Sequence, residues 1–126
     1  MPDSTSSTKE ALLQDLANLQ EECREPGWDG HGAEPLNPLS VTRARAFLSV
    51  WPEDLMVPEC CGCPAGDVTL EWYWGKDHLL SIGFPESPAR LYGAWLCGAA
   101  RGHGTVAFDN ATLPAEIEEL FNRLLA

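Results

Sequence analysis

Three groups of side chains in this chain are of types that could do chemistry. The first lies in "PGWDGHGAEPLN", Pro26 to Asn37, where Asp29 and His31 stand among three glycines. An aspartate that orients a histidine makes a general base. Spacing i, i+2 across Gly30 is poor geometry for that pairing, and no nucleophile adjoins it. A phosphate cradle is also excluded, because the G-x-x-x-x-G-K-[ST] pattern is absent and Asp29 and Glu34 would repel an anion. The second group is Glu71 with His78 or His103, the pair on which a small hydrolase-like enzyme would have to rest. The third is Cys60, Cys61 and Cys63 in "ECCGC", with Cys23, Cys97 or His31 to complete a zinc set. No C-x-x-C pair occurs, and the C-C-x-C run would have to supply three ligands from four successive residues. Five cysteines, an odd number, also misfit a secreted disulfide framework. The expectation is free thiols, no metal, no cofactor and no catalytic residue.

The Pro26–Asn37 stretch reads better as a corner. Trp28 is large enough to plug the junction of two helices and a sheet. Asp29 can accept backbone N–H groups further along its own turn. Gly27, Gly30 and Gly32 permit positive φ or close backbone approach. Only His31 lacks a structural task, so the expectation is a lock rather than a site.

The elements around that corner follow from spacing. Residues 1–6 read as a polar tail, and 7–126 as a single α+β domain. Ser7 with Glu10 forms an S-x-x-E capping box, followed by an apolar stripe at Leu12, Leu16, Leu19 and Cys23. Pro26 and Gly27 close this helix. Asn37 is a good N-cap, Pro38 suits the first helical position, and Ala44, Phe47, Leu48 and Trp51 mark a second buried face before Pro52. The period then changes to two. "VTLEWYW" alternates Val68, Leu70, Trp72 and Trp74 with Thr69, Glu71 and Tyr73. Turns at Gly75–Asp77 and at residues 86–88 lead into "HLLSIGF" and "RLYGAWLCGA". Gly102 and His103 read as a further connection before "GTVAF" at residues 104–108. The segment before the sheet, "LMVPECCGCP", suits an irregular edge strand, because Pro58 and Pro64 bar it from a sheet centre. "LPAEIEELFNRLLA" forms a last helix with Ile117, Leu120, Phe121 and Leu124 inward. The expected fold is two-layer α+β, order α-α-β-β-β-β-α, an antiparallel meander covered on one face by helices.

Charge narrows the function classes. Nineteen acids against eight bases give a net charge of −11, which argues against direct nucleic-acid binding and against docking on an anionic membrane. No apolar run reaches the ~20 residues of a bilayer span, and the N-terminus lacks the pattern of a signal peptide. A cytoplasmic protein is expected. An acidic surface suits a basic protein partner, including a nucleic-acid-binding subunit. The expected contact residues are Glu21, Glu22 and Glu25, then Glu116, Glu118 and Glu119, with Tyr92 and Trp95 as aromatic anchors. Tyr92 and Trp95 fall on opposite faces if their strand is regular; a bulge at Gly93 would return both to the core. Monomer and homodimer both remain open.

Several segments carry a resemblance: "GWDGHGAEPLN", "AGDVTLEWYW", "LLSIGF", "LYGAW", "GHGTVAF" and "LPAEIEELF". Together they resemble a group of small bacterial proteins with a W-D-G-x-G-A element and a G-x-[IV]-x-L-E-W strand, many from mobile-element or phage-related neighbourhoods. The group commonly has Tyr where this chain has His31. The resemblance implies a shared fold. With the charge and size, it leads to an expected non-enzymatic inhibitor of a host defence complex, of which an anti-CRISPR protein is the concrete example. The alternative within the same physics is an antitoxin or immunity protein that neutralises a cognate toxin.

Overall fold

The computed structural model describes residues 4–52, 57–85, 90–97, 99–109 and 111–125. Two helices, α1 (Ser4–Glu22) and α2 (Pro38–Val50), precede five strands and a last helix. The strands are β1 (Glu59–Gly62), β2 (Val68–Gly75), β3 (His78–Phe84), β4 (Arg90–Cys97) and β5 (Ala100–Ala107), and the helix is α3 (Ala115–Leu125). They form one antiparallel meander in the order β1-β2-β3-β4-β5. The protein is thus an α+β domain with five strands rather than four, the edge strand β1 fitting between Pro58 and Pro64. Among the described residues, no helix is long and apolar enough to cross a membrane.

Local chemistry explains most boundaries. Asn37 caps α2 by accepting the Leu39 N–H at 2.8 Å, and Pro38 fills the first helical position without sacrificing a bond. Asp77, with φ of 61°, turns the chain between β2 and β3, beside a register shift between Tyr73 and Gly75. The α1 helix begins at Ser4, so Ser7 lies inside it and is not its cap. Ser and Thr cost only about half a kcal/mol each relative to Ala in a helix, and the downstream apolar stripe carries them. Residues 1–3, part of the expected tail, and residues 86–88, the expected turn, lie outside the described residues.

A second correction concerns β5. Gly102 and His103 are not a connection; they pair with Trp95 and Ala94 in mid-strand. The glycine has a packing reason, because a Cβ at Gly102 would meet Cε2 of Trp95 at 2.7 Å. The Trp95 indole lies across the backbone of its neighbour strand, and only glycine leaves room for it.

Alternation then sorts the sheet into two faces. Val68, Leu70, Trp72, Leu80, Ile82, Phe84 and Leu91 are buried beneath the helices. Phe47 of α2 sits at their centre, with ring centroids 5.6 Å from Trp51, 5.5 Å from Phe84 and 5.7 Å from Phe108. Phe121 brings α3 into the same cluster at 5.0 Å from Trp51. Each such pair adds about 0.5–1.5 kcal/mol beyond area burial. The α2 helix is also fastened by hydrogen bonds. The Ser40 hydroxyl donates to the Phe84 carbonyl at 2.5 Å and accepts the Val68 N–H at 2.8 Å, both in the interior.

The corner is built as a lock. One Asp29 oxygen accepts the N–H groups of His31 at 2.8 Å and Ala33 at 3.1 Å. Gly27, Gly30 and Gly32 hold φ of 75°, 79° and 81°, where a side chain would be strained. The half-buried Trp28 packs on the core and donates Nε1–H to the Glu34 carbonyl at 2.6 Å. Two further bonds, Glu34 N–H to Pro64 O and Asn37 N–H to Gly66 O, each 2.8 Å, tie the corner to the β1–β2 hairpin. His31 contributes only its backbone and is exposed.

Two comparisons test this frame by thermal or denaturant melts. Trp28→Ala should cost about 2–4 kcal/mol, below the figure for a fully buried Trp, while His31→Tyr should stay within about 0.5 kcal/mol. Gly30→Ala should destabilise by about 1–2 kcal/mol, because its positive φ penalises a Cβ. Gly104→Ala should instead stabilise by about 0.4–1 kcal/mol, since its φ is not in the left-handed region and nothing lies within 4 Å of the added atom.

Candidate partner-binding surfaces

The residues expected to contact a partner fall into separate patches. The α1 helix packs against α2 and β1, and α2 packs against β2 and β3. Ile117 and Leu120 of α3 share a cleft of about 280 Å³ with Trp95 and Val106. The helices therefore lie side by side over the sheet, with α1 and α3 flanking α2. Glu21, Glu22 and Glu25 end one flank, and Glu116, Glu118 and Glu119 begin α3 on the other. All six are exposed. Arg24 tempers the first cluster, its guanidinium 3.0 Å from Glu21 and 3.8 Å from Glu25. Such exposed pairs contribute little stability but hold the side chains down on the helix end.

Tyr92 and Trp95 occupy opposite faces of a regular β4. Pairing runs without a break through Gly93 on both sides, so no bulge redirects either ring. Tyr92 is 49% exposed on the uncovered face, its ring 6.4 Å from that of His103. Trp95 is half-buried against the core, under the cleft beside α3. Only Tyr92 is thus presented as a surface anchor on the open face. Tyr73, 53% exposed on that same face, was not among the expected contact residues. Its signal was present in the alternation, since it shares parity with Thr69 and Glu71.

The acid–base pair does not assemble. Glu71 lines up with Ser81, Ala94 and His103 in one cross-strand row, which leaves three strand spacings to His103. At about 4.8 Å per strand, that is about 14 Å, beyond any hydrogen bond. His78 lies three residues along β3 from Ser81, and its Nδ1 is 2.8 Å from the Lys76 carbonyl. Glu71 has a different partner: the Cys61 thiol donates to its Oε1 at 3.2 Å.

The thiols divide by strand parity. Cys61 lies on the open face opposite Thr69, and Cys60 faces the core opposite Leu70. Cys63 reaches the Thr69 hydroxyl at 3.1 Å. Burial pushes the Cys60 thiol up to about 11, with a smaller push from Asp15. Burial also raises Cys61, to about 12, helped by the hydrogen bond and charge of Glu71. Both are therefore protonated, poor nucleophiles at neutral pH. Among the described residues, no three His, Cys, Asp or Glu side chains come together in a metal-binding group.

One basic residue is withdrawn from the surface. Arg43, which with Arg45 makes the densest basic cluster of the sequence, is 1% exposed. Its Nη1 donates to the Pro85 carbonyl at 3.2 Å, and desolvation lowers its pKa from the usual value. The signal was its place on the stripe of α2, four residues before Phe47.

Alkylation tests the thiol assignments. At pH 8.5, iodoacetamide should modify Cys61 slowly, and Glu71→Gln should speed that reaction several-fold by removing the carboxylate charge. Peptide mapping with Cys63 as internal reference reads the ratio. A Cys61 rate unchanged by Glu71→Gln would show that burial alone governs the thiol. The same shifts set a stability trend. Thiols raised in the folded state favour it fully below pH 9, the unfolded value, and that contribution is lost as pH climbs towards 11–12.

Comparison with known protein families, with curated proteins and with solved structures finds no match to this chain.

Proposed function

We propose that this protein works without catalysis, by binding a basic protein and blocking it in the cytoplasm. The observation that carries this reading is the charge of the accessible surface. Of eight Lys and Arg in the sequence, Arg43 is withdrawn into the core, while the glutamates of α1 and α3 are exposed at both flanks of the helical layer. The surface is therefore more acidic than the composition alone indicates. A field of one sign accelerates encounter with an oppositely charged partner, and does so over a Debye length of about 8 Å at physiological salt. A nucleic-acid-binding subunit of a defence complex has the required basic surface, so the concrete version is an anti-CRISPR-like inhibitor. The two acid clusters are short and lie apart, which suits a partner that spans the helical layer better than full mimicry of a duplex.

Affinity purification from cells that carry defence systems, followed by mass spectrometry, should recover a basic protein partner. Recovery of a toxic enzyme encoded by an adjacent gene would instead favour the antitoxin reading. With the partner in hand, association should slow by about 10-fold or more between low and high salt. Changing Glu116, Glu118 and Glu119 to Gln should slow it several-fold, with only a small fall in melting temperature from the lost N-terminal helix charges. No partner, or an association rate indifferent to salt, would overturn the proposal.

A further inference from the structure

The sheet face turned away from the helices differs from the rest of the surface. Glu59 and Glu71 stand at its β1–β2 end, and Arg101 and His103 stand on β5 at the other. Among the described residues of this face, the two carboxylates thus stand at one end, and the Arg101 guanidinium and His103 imidazole at the other, in a chain of net charge −11. Between them, Ser81 and Ala94 occupy the middle of the same cross-strand row, and Gly83 lies beside them. Tyr73 and Tyr92 rise on either side of this shallow centre, 53% and 49% exposed. Exposed tyrosines around a low, small-residue floor are suited to burial against another flat sheet.

We propose that two copies of the chain dimerise through this face, sheet stacked on sheet about a two-fold axis parallel to the strands. The charge pattern selects both the partner and the axis. Rotation about an axis along β3 leaves β3 over β3 and carries β1 of each copy over β5 of the other. The acidic end of one sheet then meets the basic end of its partner, twice. An axis across the strands would place β1 over β1 and Glu59 against Glu59, which costs energy. A second copy therefore supplies the complement that the face needs.

The area is sufficient for a specific but weak dimer. Five strands at about 4.8 Å, and about 20 Å of strand length, give about 500 Å² per copy and about 1,000 Å² in total, the lower limit for a specific interface. The strongly acidic helices stay on the outer surfaces, with both sheets between them. Their separation exceeds the Debye length of about 8 Å, so their repulsion is screened. Aligned sheets pack at about 10 Å and about −30°, which Ser81, Gly83 and Ala94 allow at the centre. This interface is independent of the partner proposed above, and it would leave two acidic layers pointing in opposite directions.

Sedimentation at about 0.15 M salt tests the proposal, that ionic strength being close to physiological. The expected result is a concentration-dependent species of twice the 13.8 kDa chain mass. Tyr92→Asp should weaken dimerisation at least 10-fold, and so should His103→Glu. Combining His103→Glu with Glu59→Arg should recover most of the loss, because the axis sets these positions against each other. Leu39→Asp, at an exposed apolar residue of α2, should leave the dimer intact. Circular dichroism confirms that each variant is folded; if Tyr92→Asp is not, the His103 and Glu59 variants decide. A monomer at every concentration would overturn the proposal. A dimer indifferent to both Tyr92→Asp and His103→Glu would do the same, since it would use another surface such as the β5 edge. Failure of the double variant to recover would overturn the axis.

Discussion

The passage of α2 across the middle of the sheet is the contact on which the rest depends. Phe47 touches rings from the sheet, from the end of its own helix and from the segment after β5. Ser40 adds direction to this packing. Burial alone would let the helix rotate or slide, whereas a hydroxyl bonded to both Phe84 and Val68 fixes its height above β2 and β3. A buried hydroxyl without those partners would be costly, so the two bonds specify one position. Trp51 and Phe121 then set where α3 can dock.

That arrangement leaves a two-layer domain with one covered and one open sheet face, and the two sides carry different chemistry. The helical side gathers the glutamates, with Arg24 pinned among them and Arg43 removed from view. The sheet side holds few charges of either sign, two exposed tyrosines and a middle of small residues. The three helices lie on one face of the five-stranded sheet, so the other face is left for solvent or for association.

Two acids that invite a catalytic reading make hydrogen bonds within the fold. The Asp29 carboxylate, which could have served a general base, is held by backbone N–H groups of its own turn. Glu71 accepts from Cys61, and the same contact, together with burial, keeps that thiol protonated. Both acids thus accept hydrogen bonds from groups of the fold.

Much of this was legible in the residues. The Asn37–Pro38 helix start and the Asx turn at Asp29 rest on local rules of capping and turns, whereas the opposite facing of Tyr92 and Trp95 needed the unbroken pairing through Gly93. Capping and turns act over a few residues, so the sequence determines them directly. What it could not show depends on neighbours distant in the chain. Gly102 looks like a turn until the indole of Trp95 is found lying on it, and His103 then falls in mid-strand. Arg43 looks like surface charge until its helix face is seen to be the buried one. Glu71 and His103 look like a pair until register places two strands between theirs. The separation of Glu59 and Glu71 from Arg101 and His103 across the open face is likewise invisible in composition, because it arises only when the meander lays β1 and β5 at opposite edges. Sequence set the elements and their apolar faces; the tertiary structure decided which polar groups meet, because pairing across a sheet is a property of register and not of spacing along the chain.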